Sequence, residues 1–67
     1  MIEQKITMWM IGQREKKGEI FISTREIANA MNLTIYQARA YLMNLLASGV
    51  VDRTTIARGK PVMWFLT

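Results

Sequence analysis

Residues 23–49 read STREIANAMNLTIYQARAYLMNLLASG, and this stretch decides the fold. It carries two helix-start signals in close succession. Ser23 is followed three residues later by Glu26, so its hydroxyl can accept the unpaired amide of Glu26 while that side chain reaches back, the capping-box pattern. Ile27, Ala28 and Met31 then supply a short apolar face at helical spacing, and Asn32 tolerates the turn that follows. Thr34 and Gln37 repeat the device. Beyond them Ala38, Leu42 and Leu45 fall on one side of a longer helix, flanked by Tyr41 and Leu46, until Gly49 ends it after about Ser48. Two capped helices separated by Asn32, Leu33 and Thr34 are the arrangement of a helix-turn-helix.

Toward the N-terminus, residues 2 to about 16 predict a further helix. Ile2, Ile6, Trp9, Met10 and Gln13 share one face, Lys16 and Lys17 complement its C-terminal dipole, and Gly18 supplies a left-handed stop. Ile20–Phe21–Ile22 is too short for a helix and suits a strand. After Gly49 the period changes to alternation. Val50–Thr54 predicts one strand and Val62–Leu66 another, with Gly59 and Pro61 as turn residues between them. The order helix, strand, helix, helix, strand, turn, strand is that of an α+β winged helix-turn-helix. It implies three helices, a small antiparallel sheet and a C-terminal wing hairpin over about 54–62. Sixty-seven residues suffice for one such domain, 1–67, and one core.

Composition narrows the chemistry. The chain has no His and no Cys, so imidazole bases, thiol nucleophiles, disulfides and soft metal ligands are missing. The carboxylates Glu3, Glu15, Glu19, Glu26 and Asp52 are scattered without a close pair, and the four glycines never cluster into a phosphate-cradling loop. These features point away from an enzyme, and no cofactor or small-molecule ligand is implied. Nine Lys and Arg against five Asp and Glu give a net charge of +4, which favours polyanionic partners, nucleic acid first and anionic lipid second. Solubility alone is the plain alternative. No apolar run approaches the roughly 20 residues of a membrane span, and Ile2–Glu3–Gln4–Lys5 lacks the character of a signal peptide, so a cytoplasmic location is expected.

The candidate DNA-binding residues follow from the helix-turn-helix. Opposite the core side, the helix over about 35–48 presents Tyr36, Gln37, Ala40, Met43, Asn44 and Ala47, with Arg39 at its shoulder. Its first turns, beginning at Thr34, are the part of a recognition helix that enters the major groove. Gln37 can pair with adenine or serve the cap; Arg39 can pair with guanine or phosphate. Tyr36 offers either a phosphate-binding hydroxyl or a ring covering the helix start. Arg58 and Lys60, flanking Gly59, can reach the DNA backbone from the wing tip, and Arg25 and Thr24 can do so from the second helix start. The first helix is apolar over a wide arc. Met8 and Ile11 meet the C-terminal strand, form a contact surface for a second protein, or are scattered surface residues. Trp64 and Phe65 face opposite sides of their strand, so at most one belongs fully to the core.

The segments Thr24–Arg–Glu–Ile–Ala–Asn–Ala–Met, Leu33–Thr–Ile–Tyr–Gln–Ala–Arg–Ala–Tyr–Leu, Gly49–Val–Val–Asp–Arg53, Arg58–Gly59 and Trp64–Phe65–Leu66 resemble the small fimbrial regulators of the FaeA/PapI type. The resemblance covers roughly Thr24 to Leu66; the first helix matches only as a helix. It implies a winged-helix regulator of a pilus or fimbria operon that binds double-stranded DNA. It further implies action with the leucine-responsive regulatory protein at sites whose adenine methylation takes part in phase variation. Carried over, Tyr36, Gln37 and Arg39 fall on the family's recognition helix and Arg58 on its wing. The chain departs from the pattern at Lys60–Pro61 and at Ile35, where a more polar residue is usual. The competing expectation is a protein-interaction module that modulates another regulator with little direct DNA contact.

Overall fold

The computed structural model describes residues 1–18, 20–54 and 59–67. Its elements in chain order are α1 (Ile2–Lys17), β1 (Ile22–Ser23), α2 (Thr24–Met31), α3 (Ile35–Ala47), β2 (Val51–Arg53) and β3 (Met63–Leu66). The strands form one antiparallel sheet in the order β1-β3-β2, with Ile22 opposite Trp64 on one edge and Val51 opposite Leu66 on the other. Three helices on a small three-stranded sheet, with β2 and β3 as a hairpin, make the α+β winged helix-turn-helix that the order of elements predicts.

The helix boundaries follow from local chemistry. α1 ends because Gly18 adopts the left-handed region at φ 65°, and its N–H bonds back to the Arg14 carbonyl at 3.0 Å. α2 ends at Asn32, also left-handed at φ 57°, a conformation a short polar side chain accepts more readily than a branched one. Thr34 then caps α3 reciprocally. Its hydroxyl accepts the Gln37 N–H at 3.1 Å, and the Gln37 side-chain oxygen accepts the Thr34 N–H at 3.0 Å. The same box is only half formed at α2. The Ser23 hydroxyl accepts the Glu26 N–H at 3.1 Å, yet the Glu26 carboxylate accepts from that hydroxyl, at 3.3 Å, and not from the backbone. Ser23 is also a strand residue, paired with Met63, and this departs from the geometry of a free helix start.

The core draws on every element. Ile6 and Met10 come from α1, Ile22 from β1, Ile27 from α2, Leu42 and Leu45 from α3, Val51 from β2 and Trp64 from β3. Fully burying a side chain of this size contributes about 1.5–3 kcal/mol, so eight of them carry most of the stabilisation available to so short a chain. Between the two adjacent aromatics, Trp64 is the core residue and Phe65 is half-buried on the other face. The indole N–H does not go unpaired: it donates to the Thr24 hydroxyl at 2.8 Å.

All three strands differ from expectation at their boundaries, β2 also ending at Arg53 and not Thr54. Within Ile20–Phe21–Ile22 only Ile22 joins the sheet, and the strand continues into Ser23. The ladder stops at Ile22, though beyond it the Phe21 ring still meets Phe65 edge-on, with centroids 5.5 Å apart. β2 begins at Val51, not Val50, because the Val50 N–H is held by the Leu45 carbonyl at 3.0 Å in the turn closing α3. β3 begins at Met63, with Val62 still in the connection. On α1, Ile2 and Trp9 lean on the core and Ile11 is half-buried, whereas Met8 is 72 % exposed.

Candidate nucleic-acid interface

α3 buries Ala38, Leu42 and Leu45 and exposes the side facing away from them. At about 100° per residue, Tyr36, Ala40, Met43 and Ala47 fall within roughly 60° of arc along the centre of the free side. All four are exposed, Tyr36 to 86 %. Gln37 and Asn44, both exposed, line one flank of this stripe, and exposed Arg39 lines the other. Thr34, Tyr36, Gln37, Arg39 and Asn44 therefore share one continuous surface. The Tyr36 ring covers nothing at the helix start at that exposure; its hydroxyl and ring both project outward.

The cap constrains what two of these residues can do. The Thr34 hydroxyl oxygen already accepts from Gln37, and the Gln37 carbonyl oxygen already accepts from Thr34. Gln37 is thus fixed against the helix start, with its NH₂ group as its donor toward a ligand. A bidentate pairing with adenine needs a donor and an acceptor at once, so it would draw on the second lone pair of an oxygen engaged in the cap. Among the described residues Arg39 carries no such obligation.

The structure adds a cation that the sequence reading did not single out. Arg53 on β2 is half-buried, and its Nη1 donates to the Met43 sulfur at 3.6 Å. Arg39 lies one helical turn before Met43, so it stands on the same side of α3 as the residue that Arg53 contacts. Alternation held the signal: Arg53 stands two residues after buried Val51, on the same side of β2.

The remaining candidates are more dispersed. Arg25 is exposed in the first turn of α2. Thr24, another candidate, has its hydroxyl oxygen committed to Trp64. In the wing, the Thr54 N–H bonds to the Met63 carbonyl at 2.9 Å and the Met63 N–H to the Thr54 hydroxyl at 3.1 Å, extending the hairpin beyond Arg53. Gly59, at φ 77°, turns the chain, and Lys60 after it is exposed. Arg58 lies outside the described residues. Among the described residues no group of His, Cys, Asp or Glu could hold a metal ion. Among them, too, no helix is long and apolar enough to cross a membrane.

A helix face with exposed amides on one flank and a cation on the other, beside a hairpin bearing Lys60, has the shape and charge to enter a duplex groove and touch phosphate. Comparison with known proteins places the chain among fimbrial regulators by sequence. Residues 15–67 match the family model described as FaeA-like protein. Over 43 residues the chain is 49 % identical to a P fimbrial regulatory protein of Escherichia coli, covering 64 % of this chain and 56 % of that one. The same figures hold for a major pilus subunit operon regulatory protein of Escherichia coli. The matched region thus spans little more than half the length of these curated relatives.

Proposed function

The chain belongs to the FaeA-like protein family, and from that premise we propose that it is a sequence-specific double-stranded-DNA-binding transcriptional regulator of a fimbrial or pilus operon. It acts in the cytoplasm as one domain, 1–67, without catalysis. α3 lies in the major groove, with Tyr36, Gln37, Arg39 and Asn44 toward the bases and Thr34 at the helix entry. Arg25, Lys60, Arg58 and the wing hold the backbone. The observation that carries this reading is the exposed face of α3, in which every candidate side chain from Tyr36 to Asn44 is turned away from the core.

A monomer of this size reads one short half-site, and each base pair discriminates by only about 1–3 kcal/mol. Limited contact of this kind supports action beside a second DNA-binding protein. The resemblance to the fimbrial regulators supports the leucine-responsive regulatory protein in that place, at a promoter subject to phase variation. Footprinting on a pilus-operon promoter tests both parts. Protection by the chain, sharpened when the leucine-responsive protein is added, is the expected result. No protection with or without it would overturn the proposal.

A second reading has one observation in its favour. Met8 is exposed beside an open groove of about 410 Å³ lined by Glu3, Gln4, Thr7, Leu45 and Val50, on a different face from Arg39. If the chain works chiefly by binding another regulator, Met8→Asp abolishes regulation and Arg39→Ala leaves it intact.

A further inference from the structure

The centre line of the exposed α3 face is apolar. Tyr36, Ala40, Met43 and Ala47 follow one another at spacings of four, three and four residues, all exposed, while the polar Gln37, Asn44 and Arg39 stand to either side. A surface built only for phosphate would place its cations on this line. A surface evolved only for the core would bury it. We infer that this stripe reads C5-methyl groups of pyrimidines in the major groove, with Tyr36 and Met43 as the specificity-determining contacts. The inference rests on the proposed insertion of α3 into DNA.

The chemistry of the groove supports the match. In the major groove thymine presents a methyl group beside its O4 acceptor, and apolar side chains recognise it by contact. Ala40 and Ala47 are small enough to let the helix approach closely, so the longer Tyr36 and Met43 make the contacts. They stand seven residues apart, about 10 Å along the helix axis, which corresponds to roughly three base pairs of duplex. Met43 is also held in place. Its sulfur accepts from Arg53 Nη1 at 3.6 Å, which ties a flexible side chain to β2. The same bond sets a guanidinium beside the methyl-reading position. The flanking Gln37 and Arg39 would then read neighbouring polar edges.

The test uses duplexes selected by the chain from a random-sequence pool, remade with deoxyuridine for thymidine. This change removes only the C5-methyl groups. Removing one contacted methyl should weaken binding about fourfold, and removing two about fifteenfold. In the Tyr36→Ser/Met43→Gln variant the ratio of thymidine to deoxyuridine affinity should fall to about one. Equal binding of thymidine and deoxyuridine duplexes by the unmodified chain overturns this inference and leaves the proposed function standing. An unchanged ratio in the variant removes Tyr36 and Met43 from the role. If the chain selects no duplex at all, the proposed function fails and this inference with it.

Discussion

The Trp64 indole N–H donates to the Thr24 hydroxyl at 2.8 Å, joining the central strand to the first residue of α2 across forty positions of sequence. Trp64 is otherwise surrounded by the core, so this directed bond, like that from Arg53 to Met43, fixes the wing hairpin to the helix-turn-helix. Thr24→Val removes the acceptor while keeping the shape. It should cost about 1–3 kcal/mol, the penalty of an unpaired buried donor, and lower the melting temperature by several degrees. Thr24→Ser should retain most of the stability. Thermal unfolding of the three proteins decides it; equal midpoints for Val and Thr would show the bond contributes nothing.

Thr34 and Gln37 form the reciprocal cap of α3, and the two parts of Gln37 can be separated. Thr34→Ala should cost about 1 kcal/mol in urea unfolding. Gln37→Glu keeps an acceptor for the Thr34 N–H but replaces the NH₂ donor with negative charge. It should unfold at nearly the same urea concentration while DNA affinity drops at least tenfold. If both properties fall together, Gln37 acts only as a cap.

Leu42 is fully buried at the centre of α3, facing Ile6, Ile27 and the other members of the core. Leu42→Ala should cost about 2–5 kcal/mol, a large part of the stability a domain of this size commands. Circular dichroism at 37 °C should then report a substantially unfolded chain. A cooperative transition near the native temperature would mean that the core collapses around the gap.

Gly49 holds φ 79° where α3 turns into β2, with its N–H on the Leu46 carbonyl at 3.1 Å. A side chain there meets no neighbour but must adopt a left-handed backbone. Gly49→Ala should therefore lower stability by about 1–2 kcal/mol through conformation alone. Gly49→Asn should lower it less, and chemical denaturation of the pair measures the difference.

Much of this molecule can be read from its residues, and the failures have identifiable causes. Ser23, Thr34, Gly18 and Gly49 mark helix ends by chemistry acting within four residues, so they are visible locally. The periodic placement of Ala38, Leu42 and Leu45 likewise needs no tertiary information. Choosing Trp64 over Phe65 for the core did, because alternation separates the two faces without saying which one α1 covers. The strand expected at Ile20–Ile22 starts two residues later and runs into Ser23, because its extent is set by pairing with β3, a distant segment. A charged residue in a short strand looks like a solvated one, so Arg53 stands out only with Met43 beside it.

The candidate site divides in the same way. Its α3 residues share a face because helical period alone decides that. The bond from Trp64 to Thr24, which occupies one lone pair of the hydroxyl and leaves its O–H free to donate, depends on packing across the whole chain.

The central claim, that α3 reads DNA, is tested most directly by measuring affinity against salt for a pilus-operon promoter duplex and an unrelated duplex, with the native chain and with Arg39→Ala. The account predicts tighter binding of the promoter duplex, weakening as salt rises, and for Arg39→Ala a loss of that preference with a salt slope smaller by about one. Equal affinity for both duplexes, or an Arg39→Ala chain indistinguishable from the native one, would contradict it.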